Sequence, residues 1–215
     1  SSVGVVNGAV VGVLKVSPLL VTLGTWSIVY GVALYMTSGI PIYGMPSEFT
    51  RDFGRLKLFG LPISLYIMAL VLVTFWWIMN WTRLGRYIYA IGGNIHAARV
   101  SGIRTTTYLI ITYTMCAFLA AVTGVLLTAR VGSGEATMGT TFMLESIAAA
   151  VIGGVSLRGG VGRVELVALG ALFLSLVSNG MNLIRVDSKI QTIVVGIVVI
   201  LAVALDQMGS RRARR

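Results

Sequence analysis

The run TTYLIITYTMCAFLAAVTGVLLT, from Thr106 to Thr128, passes 23 positions without a charged residue. About 20 consecutive apolar residues are what a helix needs to cross the hydrocarbon core of a bilayer. Working outward, further apolar runs lie at residues 3–14, 18–37, 61–80, 142–157, 164–184 and 190–207. Four of the seven are convincing by length; 3–14 and 142–157 are short. The composition agrees: 56% of the residues are hydrophobic, 11% are charged and the mean hydropathy is +0.90. Soluble domains carry about 25% charge, so a soluble globular reading is excluded. The expected fold is all-α: a polytopic transmembrane helical bundle of six to seven membrane segments, one of them short or re-entrant.

Charge orients the segments. Seventeen Lys+Arg against seven Asp+Glu give a net charge of +10. The basic residues sit in short gaps between apolar runs, so topology explains them better than nucleic-acid binding does. Arg83, Arg86, Arg99 and Arg104 fill one gap without an acid, and Arg158 and Arg163 fill another. With Lys15 and the tail Arg211, Arg212, Arg214 and Arg215, these places hold eleven of the seventeen. The other gaps are mixed: Glu48 and Asp52 accompany Arg51, Arg55 and Lys57, Glu135 accompanies Arg130, and Asp187 lies between Arg185 and Lys189. Strict alternation puts every gap on the side its charges prefer, with an inside C-terminus. Trp76, Trp77, Trp81, Tyr87 and Tyr89 suit a headgroup belt at the inner side, and Tyr43 and Tyr66 flank the outer loop.

The opening Ser-Ser shows neither an initiator Met nor a signal-peptide n-region, and residues preceding this start are expected. Gly4, Gly8 and Gly12 recur every fourth residue and predict a small-residue face for close helix packing. In the 38–60 loop, Ser47 is expected to cap a short interfacial helix with Phe49, Phe53 and Leu56 on one face.

Catalytic chemistry is poorly supported. The single histidine, His96, has no carboxylate near it in sequence, and acid–base work needs a positioned partner. Lys15, Lys57 and Lys189 are the only lysines and none sits in a P-loop. Gly159-Gly160-Val161-Gly162 follows a membrane segment rather than a strand, the wrong context for a phosphate loop. Cys116 is the lone cysteine, which excludes an intrachain disulfide and a Cys-rich metal site. Neither metal nor other cofactor is expected. Glu145 and Glu165, both near segment ends, are the only candidate relay carboxylates, too few for an obvious ion relay.

Three constellations remain. In Gly92–Ile103, Asn94 is a good N-cap, Gly102 a good C′ residue and Arg99 lies in the last turn, predicting a helix over Ile95–Ser101. Ala97 and Ala98 are small enough to enter a groove on another protein. In Gly153–Gly162, five glycines (Gly153, Gly154, Gly159, Gly160 and Gly162) forbid a helix interior and predict a tight turn. In 164–184, Ser175, Ser178, Asn179 and Asn182 are polar; Ser175, Asn179 and Asn182 share one helical face and, with Glu145, are candidates for a polar path.

Read in order, TRLGRYIYA (Thr82–Ala90), GGNIHAARVSGI (Gly92–Ile103), IAAAVIGGVSLRGGVGR (Ile147–Arg163), NGMNLIRV (Asn179–Val186) and IQTIVVGIVVILAVALDQ (Ile190–Gln207) resemble the permease subunit of a bacterial monosaccharide ABC importer of the ribose/xylose type. The resemblance covers essentially the whole chain. It implies a single transmembrane permease domain over 1–215, N-terminally incomplete by about three spans of roughly 20 residues. It makes 94–103 a cytoplasmic coupling helix, with Asn94, Ala97, Ala98, Arg99, Ser101 and Gly102 meeting the ATPase. It also implies a cytoplasmic ABC ATPase, a periplasmic or lipid-anchored sugar-binding protein, and a second permease subunit, identical or not. The setting would be the bacterial inner membrane, and the mechanism alternating access. The sequence departs from the family at Ile95, usually polar or acidic, and at Val155, usually Thr. An ATP-independent secondary carrier or channel for a small polar solute is the competing reading.

Overall fold

The computed structural model describes residues 1–157 and 159–212; Arg158, Arg214 and Arg215, used above for orientation, lie outside the described residues. The chain folds as α1 (Ser2–Leu14), α2 (Pro18–Thr37), α3 (Ser47–Phe49), α4 (Ile63–Trp81), α5 (Arg83–Gly93), α6 (Ile95–Val100), α7 (Thr105–Val131), α8 (Thr140–Ile152), α9 (Val164–Leu183) and α10 (Ser188–Arg212). A π-helical turn covers Thr50–Arg55, and β1 (Lys57–Leu58) pairs antiparallel with β2 (Leu61–Pro62). Each apolar run of the sequence is a helix. Of these, α2, α4, α7 and α9 are long and apolar enough to cross a membrane.

Lipid-facing helices keep apolar side chains on their outer surface, and these do. Neither α2 nor α4 buries a residue, and Leu20, Leu70, Val73 and Leu169 are largely exposed. The 142–157 run gives a shorter helix than its apolar length suggests. α8 stops at Ile152 because Gly153 and Gly154 close it, and its 13 residues rise only about 20 Å, short of the about 30 Å of hydrocarbon.

Two compact units emerge, residues 1–73 with 95–138, and residues 74–94 with 139–215. In the first, α1 lies along α7 through its glycines. A Cβ at Gly4 would stand 2.5 Å from the Tyr113 carbonyl oxygen, one at Gly8 2.5 Å from Ile110 Cα, and one at Gly12 2.9 Å from Thr106 Cγ2. Removal of three side chains thus brings backbone against backbone. The Thr106 hydroxyl then donates to the Gly12 carbonyl at 3.2 Å. Buried Asn7 accepts from the Thr25 hydroxyl at 2.6 Å, tying α2 to α1.

The 38–60 loop is anchored to the end of α7. Ile42 and Gly134 exchange backbone hydrogen bonds of 2.8 and 3.0 Å, and Gly54 sits on the backbone of fully buried Ala129. The short helix departs from expectation at both ends. Pro46, not Ser47, occupies the N-cap, and Leu56 has left the helix in extended backbone. Phe49 and Phe53 do share a face, their rings 5.7 Å apart.

In the second unit, α8 and α9 form a tight hairpin and α10 packs on α8. Ala148, Ala149 and Leu174 are buried together against Ile152, Val198 and Val199. Gly170 of α9 rests on the Ala149 carbonyl, and a Cβ at Gly153 would fall 2.6 Å from the Leu166 carbonyl oxygen.

Gly8→Val is expected to destabilise the first unit by about 1–3 kcal/mol, the usual cost of overpacking. Gly31→Val, at a position with nothing within 4 Å of a Cβ, should stay within about 0.5 kcal/mol. Thermal melting in detergent reads both; equal melting temperatures would refute the seating of α1 on α7.

Candidate functional site

Three of the expected site regions can be built from the residues upward. The connector begins where Thr82 caps α5: its hydroxyl accepts from the Gly85 N–H at 3.3 Å and donates to the Ile78 carbonyl at 2.7 Å. α5 ends on Asn94, whose extended backbone (φ −156°, ψ 103°) separates it from α6. α6 runs over Ile95–Val100, one residue shorter than predicted. Its end has the expected left-handed glycine, Gly102 at φ 82°. The Gly102 N–H reaches the Arg99 carbonyl at 3.0 Å and the Ile103 N–H the Ala98 carbonyl at 3.1 Å, the two bonds of a Schellman cap. Ser101 stands at the C-cap position, and its hydroxyl is spent on the Ala97 carbonyl at 2.9 Å. Arg99 reaches the Thr105 hydroxyl at 3.5 Å.

This geometry divides the predicted contact set. Ala98 is only 4% exposed, so it belongs to the packed side of α6 and not to a surface that enters a groove. Asn94, Ala97, Arg99, Ser101 and Gly102 are exposed. Val100, outside that set, is 90% exposed.

The glycine turn is a steric device. α8 closes with a second Schellman cap, Gly154 at φ 74° bonding Val151 at 2.9 Å and Val155 bonding Ala150 at 3.0 Å. Gly159 and Gly160 then lie against the end of α5. A Cβ at Gly92 would stand 2.5 Å from the Gly160 nitrogen, and one at Gly160 2.6 Å from Gly93 Cα. Gly162 is crowded by Val155, at 2.9 Å from where its Cβ would lie. The backbone that looked like a phosphate loop is therefore filled by another backbone. The Tyr89 hydroxyl donates to the Gly162 carbonyl at 2.8 Å. Burial, helped by the Glu165 carboxylate and opposed by Arg163, holds the Tyr89 hydroxyl above its ordinary pKa and thus a donor.

The third region is a cavity of about 370 Å³ lined by Thr140, Thr141, Leu144 and Glu145 of α8, Ser178 and Asn182 of α9, and Gln191, Thr192 and Val195 of α10. The Gln191 amide donates to Asn182 Oδ1 at 2.9 Å and to the Val186 carbonyl at 3.0 Å. Glu145 and Asn182 are thus brought together as expected. Ser175 and Asn179 are exposed on α9 and do not line this cavity. Gly170 and Leu174 set the face that α9 turns to α8, and four residues further on that face is Ser178. Gln191 was legible as a polar side chain in the first turns of an apolar run.

The comparisons with known proteins complete the description. Residues 1–203 match the family described as branched-chain amino acid transport system / permease component. The chain belongs to that permease family. It is 39% identical over 212 residues to the ribose import permease protein RbsC of Escherichia coli, covering 96% of this chain and 65% of that protein. It is 38% identical to RbsC of Bacillus subtilis, covering 95% of this chain and 64% of that protein. The galactose/methyl galactoside import permease protein MglC of Escherichia coli is 39% identical, with 99% of this chain and 65% of that protein covered. The chain spans just under two thirds of the length of these relatives. No solved structure matches it. With its apolar helices, the chain is a multi-pass helical membrane protein of that family.

Tyr89→Phe should cost about 1 kcal/mol, one hydrogen bond. Gly92→Val should cost more, because its Cβ meets backbone that cannot rotate away. Limited proteolysis at the 153–163 turn reads the effect: faster cleavage in the order Gly92→Val, Tyr89→Phe, wild type is expected, and identical rates would refute the α5–turn contact.

Proposed function

We propose that the chain forms the translocation path of a permease subunit in an ATP-driven monosaccharide importer of the bacterial inner membrane. The observation that carries this is the 39% identity to a ribose import permease over 96% of the chain. The polar cavity supports the substrate class. A sugar presents hydroxyls that both donate and accept, and Ser178, Asn182, Gln191 and the Glu145 carboxylate offer the matching amide, hydroxyl and carboxylate partners. Glu145 acts there as a hydrogen-bond acceptor, and Ser175 and Asn179 extend the polar face along α9.

The chain works as one transmembrane domain whose own residues hydrolyse nothing. ATP hydrolysis belongs to a cytoplasmic ABC ATPase that grips residues 94–103. The exposed Ala97, Arg99 and Val100 make the contact, Asn94, Ser101 and Gly102 hold the helix ends, and Ala98 seats the helix. A periplasmic or lipid-anchored binding protein delivers the sugar, a second permease subunit completes the path, and the C-terminus is cytoplasmic. Closure of the ATPase pair pushes α6, and the spans reorient around the path by alternating access.

Co-expression with a sugar-importer ATPase and binding protein tests this. Val100→Glu should abolish ATPase co-purification while leaving the melting temperature unchanged. Ala98→Glu should lower the melting temperature, since it places a charge in a packed position. Asn182→Leu should retain the ATPase and cut ATP-dependent ribose uptake about tenfold, the worth of one hydrogen-bonded group. Recovery of no ATPase by folded wild-type protein, with uptake independent of ATP, would overturn the assignment in favour of a secondary carrier.

A further inference from the structure

A second cavity, of about 470 Å³, lies in the second unit between the end of α4 and the start of α9, away from the polar cleft. Trp76, Asn80 and Trp81 line one side and Arg163 and Glu165 the other. Two features together mark it. Tryptophans at a helix end mark the level of the lipid headgroups, where an indole offers an apolar face and an N–H donor. Trp76 and Trp81 are 39% and 69% exposed, open to that layer. The two opposite charges, moreover, do not satisfy each other. Among the described residues the ion pair formed is Arg51–Asp52, and neither the Arg163 nor the Glu165 side chain has a hydrogen-bond or ion-pair partner.

From this juxtaposition we infer that the Trp76–Asn80–Trp81–Arg163–Glu165 cavity is a binding site for a zwitterionic phospholipid headgroup. The phosphate is held by the Arg163 guanidinium and the amine by the Glu165 carboxylate. An exposed, unpaired guanidinium and carboxylate lining one cavity at a membrane interface are each open to a counter-charge, and a headgroup with a phosphate and an ammonium supplies both at once. The aromatic faces of Trp76 and Trp81 add attraction for the ammonium. An anionic lipid would satisfy Arg163 and bring its charge against Glu165, so the site discriminates against it. The Tyr89 hydroxyl, close enough to feel both charges, is committed to the Gly162 carbonyl and takes no part in binding. The site stands apart from the transport reading and survives or fails without it.

Native mass spectrometry of the full chain, released from nanodiscs of equal phosphatidylethanolamine and phosphatidylglycerol, tests the site. Preferential retention of phosphatidylethanolamine by wild type is expected, falling about tenfold in Glu165→Gln, the loss of one charge-assisted hydrogen bond. Glu135→Gln, a carboxylate in another part of the chain, should retain the lipid as wild type does. Retention independent of headgroup, a preference for phosphatidylglycerol, or an unchanged Glu165→Gln variant would overturn the proposal. Water-soluble glycerophosphoethanolamine that competes as tightly as the lipid would overturn the membrane source. Trp81→Leu, which leaves both charges in place, should weaken retention less than Glu165→Gln; the reverse order would make the cavity a simple apolar acyl-chain groove and overturn the headgroup site.

Discussion

Hydrocarbon surrounds the apolar faces of these helices on every side, so hiding leucine from solvent gains them little. What remains is direct contact between surfaces that fit, and the closest fit is backbone on backbone. The molecule uses that contact at three of its junctions. Gly4, Gly8 and Gly12 let α1 approach α7, Gly153 and Gly170 let α8 approach α9, and Gly92 and Gly160 let α5 approach the turn between them. The elements that define the candidate site are positioned by these contacts more than by any large buried core, and few large side chains are deeply buried. The same approach explains the shortness of α8. Its helix ends at the glycines its hairpin requires, before it has crossed a full membrane thickness.

Much of this was legible in the sequence because lipid imposes few solutions. Backbone polar groups in hydrocarbon must be satisfied internally, so an apolar run is a helix almost without alternative. Helix ends were legible for a related reason: Gly102 and Gly154 both sit at positive φ where caps need them. The fourfold glycine spacing of α1 also told its purpose, since a row without side chains has no other use on a helix. What it did not tell was the partner. Gly92 and Gly160 are far apart in the chain, and an absent side chain announces a need for room without naming what fills it.

Where sequence and structure differ on α9, the missing alternation of polar and apolar residues is the reason. A soluble helix reveals its inner face through the alternation of polar and apolar residues, whereas a membrane helix is apolar all round. On α9 the polar residues suggested a face through Ser175 and Asn179, but Gly170 and Leu174 determine what α9 turns inward, and Ser178 and Asn182 follow from them. On α6 the inward face was hidden by shortness. Six residues make fewer than two turns, too little periodicity to tell Ala98, packed inward, from Ala97, facing out. In the 38–60 loop, Pro46 displaced Ser47 at the cap because the turn preceding a short helix is set by backbone restriction before side-chain bonding.

Charge separates the two cavities of the second unit. In the cleft, Asn182 and Gln191 already hold one another, so entry of a polar solute exchanges one set of hydrogen bonds for another without large desolvation cost. A single carboxylate, Glu145, adds an acceptor there but no partner of opposite sign lines the cavity. That balance suits a neutral polar solute, in keeping with the proposed sugar path. The cavity beside the tryptophans has the opposite character, with full charges of both signs and no neutral amide pair to trade. A neutral sugar would leave Arg163 and Glu165 uncompensated, whereas a headgroup compensates both. The two sites therefore call for different chemistry although they lie within one folding unit: one suited to passage, the other to residence.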